Sequence, residues 1–246
     1  MKKLILALGL FPMIALSAVT DEMQAEMNKE LIKAGLPVPG SGLQVVPNGQ
    51  IQVSGWQRDK FKSDAKEMKE KGYIDQTSER AYELMHFKEQ VKRNGYSDNP
   101  STNEGDSGLH RNASEIAFSY SYVGVPISEI KEIYGVAPSG AFLTLPQKGW
   151  TGAVVFFKSS FANCAYTEKN IVPGQGGVQV EESFSRYDVN NKLTTVEVEG
   201  NNNSGFLYNI FWFDLNYYRQ LECATTSYST NILKSTIDLA KKIDNN

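Results

Sequence analysis

The chain has 246 residues, of which 41% are hydrophobic, 11% aromatic and 22% charged, a balance that excludes disordered, collagen-like and multi-span membrane classes. Its formal net charge is −3, and its bases are interleaved with acids, as in Lys66-Glu67-Met68-Lys69-Glu70-Lys71. No concentrated basic surface is encoded, so nucleic-acid binding is not expected.

Lys2 and Lys3 precede an uncharged apolar run from Leu4 to Leu16, followed by Ser17 and Ala18. This pattern is that of a secretory signal peptide over residues 1–18. A helix over the apolar run would rise only about 20 Å against a hydrocarbon core of about 30 Å, so no permanent membrane span is expected. Without Lys2 and Lys3 the chain carries 23 basic and 28 acidic side chains, a net charge of −5. The expected destination is a bacterial periplasm or the exterior. Such a compartment is oxidising, and Cys164 and Cys223 are the two cysteines, so they are expected to form one disulfide. The chain-entropy estimate for a loop of that length is about 4 kcal/mol of stabilisation.

Residues 19–93 read as a helical region with a short hairpin. Thr20 can cap a helix bearing Met23, Met27, Leu31 and Ala34 at helical spacing, which Gly35 ends. The Pro- and Gly-rich stretch 36–42 cannot continue it. Leu43–Val46 and Gln50–Val53 flank Pro47-Asn48-Gly49, whose Asn-Gly step suits a tight hairpin. Trp56–Lys71 and Gln76–Arg93 then read as helices, the first with a thin Phe61, Ala65, Met68 stripe; Gly72 and Gly95 are their stops. Residues 94–113 are nearly devoid of apolar side chains and are expected to be a flexible linker between two subdomains.

Residues 114–246 read as a disulfide-linked α+β domain. Ile116, Phe118, Tyr120 and Tyr122 alternate as on a strand, and Pro126–Tyr134 suits a short helix. Strands are expected over Gly152–Phe157, Phe161–Thr167, Val178–Tyr187 and Leu193–Glu199, with short connections that favour antiparallel neighbours. The longest candidate, Phe206–Thr225, is apolar on both alternating faces over its first half and is assigned to the sheet centre. Ile232, Thr236, Leu239, Ala240 and Ile243 then share one face of a terminal helix, capped by Ser229 or Thr230. The fold expected is α+β: a helix-rich N-terminal region, then a mainly antiparallel sheet packed by a C-terminal helix.

Chemistry is sparsely signalled. His86 and His110 are the only imidazoles, which excludes multi-His sites. Glu83-Leu84-Met85-His86 supplies half of a bundle-type metal motif without the other half, so no metal and no cofactor are expected. Gly105-Asp106-Ser107-Gly108 resembles the sequence around a chymotrypsin-like nucleophile, but His110 replaces the downstream pattern and no placed His and Asp partners accompany it. Asp98, Asn103, Glu104 and Asp106 lack EF-hand spacing.

The window Phe206–Tyr218 holds seven aromatics in thirteen residues. Core packing is their first role; the second is a recognition surface on which Tyr208, Trp212, Asp214 and Tyr218 contact a ligand. The function expected is therefore an exported, noncatalytic binding or interaction protein. Its partner would be a protein, peptide, glycan or apolar ligand. The alternatives are a secreted hydrolase using carboxylates among Glu182, Glu197, Glu199, Asp214 and Glu222, or a secreted factor acting on another organism.

Overall fold

The computed structural model describes residues 42–47, 51, 54–145, 147–171, 177–181, 185–214 and 216–246. The expected signal peptide, the helix from Thr20, the 36–41 stretch, the Asn48-Gly49 turn and Glu182 lie outside the described residues.

An eight-stranded sheet organises the molecule. In chain order its strands are β2 (Ile74–Asp75), β3 (Glu132–Leu143), β4 (Gly149–Lys158), β5 (Asn163–Asn170), β7 (Arg186–Val189), β8 (Lys192–Asn201), β9 (Gly205–Phe213) and β10 (Tyr217–Thr225). They lie in the order β2-β8-β9-β10-β5-β4-β3, with β7 also on β8. Every pair is antiparallel except β2 with β8. The short connections read from the sequence account for that ladder. A separate parallel pair joins β1 (Gly42–Val46) to β6 (Gly177–Glu181). Leu43–Val46 is thus a strand as expected, but its described partner is distant in sequence.

The expected single strand Phe206–Thr225 is instead the β9–β10 hairpin. Its turn is built by Asp214, whose Oδ1 accepts the amides of Asn216 (2.9 Å) and Tyr217 (2.8 Å). A short acceptor that bonds the backbone just ahead of it favours a turn over continued extension, even inside an apolar run. The opposite ends of these strands carry the disulfide: Cys164 on β5 faces Cys223 on β10 directly across the ladder, and the two are joined.

Helices cover both faces. The terminal helix α4 (Thr230–Asp244) buries Thr236, Leu239, Ala240 and Ile243, and its first turn is capped by Ser229 accepting the amide of Asn231 (3.2 Å). It packs on the core face with Ile210, Trp212, Leu221, Val155 and Phe157. On the opposite face, α2 (Glu79–Met85) sets Ala81 and Leu84 against Ala165, Leu207 and Ala224. The expected helix Gln76–Arg93 breaks at His86 into α2 and α3 (Phe87–Asn94). There the His86 ring Nδ1 lies 2.8 Å from the Tyr82 carbonyl oxygen, and its amide is shared among the carbonyls of Tyr82, Glu83 and Leu84.

Helix α1 (Gly55–Lys71) ends at Gly72, where φ is +84°. Only glycine fits there: a Cβ would stand 2.0 Å from the Tyr228 hydroxyl.

The described residues from 42 to 246 fall in one compact unit, and the expected linker 94–113 lies inside it. The polar composition of that segment concealed backbone pairing. His110 exchanges amide and carbonyl bonds with Val136 (2.7 and 2.8 Å), and Ser101, fully buried, accepts the indole N–H of Trp150 (2.8 Å). Ile116–Tyr122 is not a strand but an extended run with single bridges, Ser101 to Ile116 and Phe118 to Trp150. Ring stacking of Phe118 on Tyr122 (4.8 Å) and the bond from the Val123 amide to buried Glu168 (3.2 Å) hold it in place of a ladder. Pro126–Tyr134 gives only a short 3₁₀ turn, Ile127–Glu129, before β3 begins.

Candidate functional site

Alternation along β9 sends its residues to two different environments. Phe206, Tyr208, Ile210 and Trp212 face inward and are buried. Asn209 and Phe211 point to the other face and are only half-buried. The register there sets out three rows across β8, β9 and β10. Glu197, Asn209 and Glu222 form the first, Thr195, Phe211 and Gln220 the second, and Leu193, Phe213 and Tyr218 the third. Glu197, Thr195, Phe211, Phe213 and Tyr218 from these rows line a groove of about 920 Å³, which Phe61, Ala65 and Met68 of α1 and Val180 and Glu181 of β6 also line.

Polar side chains fix the walls. Arg58 on α1 donates to Glu181 of β6 (3.4 Å) and to the carbonyl oxygen of Ile51 (2.6 Å). Lys60 pairs with Asp64 one turn away (2.7 Å), and Arg186 with Asp188 (2.6 Å). From the groove inward along the sheet, Tyr218 donates to Gln220 (2.8 Å), which donates to Asn209 (3.0 Å), a chain of amides and hydroxyl across the strands. Burial and the nearby Glu222 charge push the Tyr218 hydroxyl up, so it stays a neutral donor.

Glu197 stands at the open side of the groove. Desolvation raises its carboxyl above the ordinary range; the charges of Glu199 and Asp64 add to that, and Lys60 opposes them. Solvent still reaches this side chain and screens those charges.

The four residues expected to contact a ligand are separated by the fold. Tyr218 alone lines the groove. Tyr208 is fully buried on the core face, where its hydroxyl accepts the Ser229 amide (2.7 Å) at the start of α4. Trp212 is equally buried, stacks on Tyr166 at 5.9 Å and donates its indole N–H to Asp244 (3.0 Å). Asp214 holds the hairpin turn and accepts from Arg219 (2.6 Å). Burial works against its charge, but Arg219 and the two turn amides outweigh it and keep the carboxyl below the usual range.

The carboxylates of the hydrolase alternative are likewise dispersed. Glu199 accepts from Ser78 (2.7 Å) and Gln76, tying the start of α2 to β8. Glu222, almost buried, takes both Nε and Nη2 of Arg80, with the closest contact at 2.8 Å. Among the described members of the set, Glu197 is the one that lines the groove.

His110 is fully buried, with Nδ1 3.7 Å from Glu115. Among the described residues no group of three or more His, Cys, Asp or Glu side chains is placed to hold a metal. Reading the aromatic window as a whole missed Phe211 and Phe213 as groove residues; the period-two alternation within Phe206–Phe213 was the signal that could have found them. No protein-family model, curated protein or solved structure matches the chain at a significant level.

Proposed function

We propose that this is an exported, noncatalytic binding protein that holds its ligand in the groove between α1, β6 and the β8–β9–β10 face. The observation that carries the reading is the groove itself. It has the size of ligand sites in general and an apolar floor of Phe211, Phe213 and Tyr218, with a few polar groups, Thr195, Gln76 and Glu197, converging on it. Engagement of Glu199, Asp214 and Glu222 in structural bonds favours binding over carboxylate hydrolysis, which needs two acids free to act on one bond. Export is supported by the signal-like start of the sequence and by the joined Cys164 and Cys223; no helix among the described residues is long and apolar enough to cross a membrane.

A thermal-shift screen of the full-length oxidised protein against peptides, oligosaccharides and apolar small molecules tests the reading. Hits should lose their shift in Tyr218→Ala and Phe211→Ser. Hits indifferent to both substitutions would move the site elsewhere. Turnover of a glycan, peptide or ester that Glu197→Gln abolishes would replace binding with catalysis. Cell fractionation with N-terminal sequencing tests export: a mature start near residue 19 outside the cytosol is expected, and an intact, reduced cytosolic protein would contradict it.

A further inference from the structure

Helix α1 borders the groove but is held unlike the strands opposite it. No residue of α1 is buried, and Phe61, which lines the groove, is 43% exposed. A helix without a buried face draws its stability from within. Here Lys60 pairs with Asp64 (2.7 Å), Lys66 with Glu70 (4.0 Å) and Lys71 with Glu67 (3.3 Å), each four positions apart. Such a helix keeps its shape when it is lifted off its neighbours, and elements with few buried contacts are the ones that open most readily.

The two ends of α1 are secured differently. At the C-terminal end, Met68 packs on the cluster of Val198, Phe206 and Tyr208, and the Glu67 carboxylate accepts the Asp75 amide (2.9 Å). Gly72 then turns the chain into Tyr73, whose ring meets Phe206 (5.1 Å) and Tyr228 (5.0 Å), and into buried Ile74 of β2. That end is a fixed pivot, placed at an element terminus as hinges commonly are. Along the first turns, the polar contact that reaches a strand among the described residues is Arg58 on Glu181 of β6, at 3.4 Å with 31% of the Arg58 side chain in solvent. The other bond of Arg58 goes to the carbonyl of Ile51, on the chain that leads into the helix. A partly exposed ion pair of this kind is weak, so the N-terminal end is held by a bond that opens readily.

Resting on the groove reading above, we infer that α1 is a lid: it swings about its Gly72 end to admit the ligand, is latched by Arg58 on Glu181, and closes on what has bound. The ligand supplies the closing force. A molecule lying on Phe211 and Tyr218 covers apolar surface of Phe61 and Ala65 only when α1 is closed, so it binds that arrangement more tightly and shifts the population towards it. Entry and release then run through breakage of the Arg58–Glu181 pair.

Nitroxide labels on the full-length oxidised protein, at Asp59→Cys on α1 and Lys234→Cys on α4 with the native disulfide kept, report this motion by double electron–electron resonance; both positions are exposed. Adding Arg58→Ala should populate a second distance at least threefold more than in the parent. N-phenyl-1-naphthylamine, a neutral apolar dye, should return the labels to the parent distance, and its association rate should rise at least threefold in Arg58→Ala. Circular dichroism checks folding, and Glu181→Gln, expected to act in the same direction, decides should Arg58→Ala not fold. One narrow distance, the same in parent and variant and with or without dye, would make α1 a fixed wall and overturn the lid. So would a second distance that persists while the dye is bound. Phe211→Ser and Tyr218→Ala judge the groove separately: dye binding indifferent to both would sink the groove reading whatever the labels report.

Discussion

The two faces of strands β8 to β10 are built from one aromatic-rich stretch and have opposite characters. On the α4 face, Trp212 and Tyr208 are enclosed and each polar tip is spent on a bond within the protein, to Asp244 and to Ser229. On the groove face, Phe211 and Tyr218 are half-buried and their neighbours Thr195 and Glu197 line open space. The difference teaches that aromatic density marks a sheet with two covered faces, whereas which aromatic can meet a ligand is decided by parity along the strand.

The sharpest way to break this comparison is to truncate one residue from each face. Trp212→Ala should destabilise by about 3–5 kcal/mol, read as a lowered midpoint in urea, because it leaves a large cavity against Tyr166 and removes one of the donors to Asp244. Tyr218→Ala should cost about 1 kcal/mol, since its ring already meets solvent at the groove. Equal losses would mean that both faces are core.

The core-face brace comes next. Replacing both Cys164 and Cys223 by Ala should cost about 2–5 kcal/mol, measured by denaturant unfolding, since it frees a long loop in the unfolded chain. Arg80→Ala leaves nearly buried Glu222 without its base. About 2 kcal/mol is expected, below the figure for a fully enclosed pair because a third of the Arg80 side chain remains in water.

Proton linkage separates the faces further. On the core side, burial first and the Glu168 charge second push the hydroxyls of Tyr120, Tyr122 and Tyr166 up. A raised tyrosine supplies stability that is complete below the unfolded value near about 10 and is lost as pH rises beyond it. Absorbance at 295 nm should therefore show these tyrosines ionising together with unfolding; a gradual titration of a folded protein would contradict their enclosure.

Glu197 gives the smallest effect, of the same sign but in the acidic range. Its carboxyl is raised, so the folded state carries a penalty above that value which is relieved as pH falls through it. Glu197→Gln should leave neutral-pH stability unchanged or slightly higher, and the wild type should close the gap on mild acidification. A less stable variant at neutral pH would make Glu197 a structural anion.

Much of this architecture was legible. The terminal helix follows from the spacing of Thr236, Leu239, Ala240 and Ile243, the disulfide from two cysteines in one chain, and α1 from its periodicity and the Gly72 stop. The features that escaped are hydrogen bonds that hydropathy does not signal, one set local and the others at long range. Asp214 cuts an apolar run because its carboxylate bonds two amides just ahead of it, and His110, inside the polar stretch 94–113, pairs with distant Val136 of β3. The groove was half-legible. Tyr218 was singled out, but Arg58, which clamps α1 to β6, acts across 123 positions and leaves no local trace.

The most direct test sets Phe211→Ser beside Trp212→Phe, adjacent residues on opposite faces, and measures for each the free energy of unfolding and the dissociation constant for a ligand recovered by the screen. Phe211→Ser should weaken binding at least tenfold with little loss of stability, and Trp212→Phe should lose stability while keeping affinity. The reverse pattern, affinity lost at Trp212 and retained at Phe211, would contradict the assignment of recognition to the groove face.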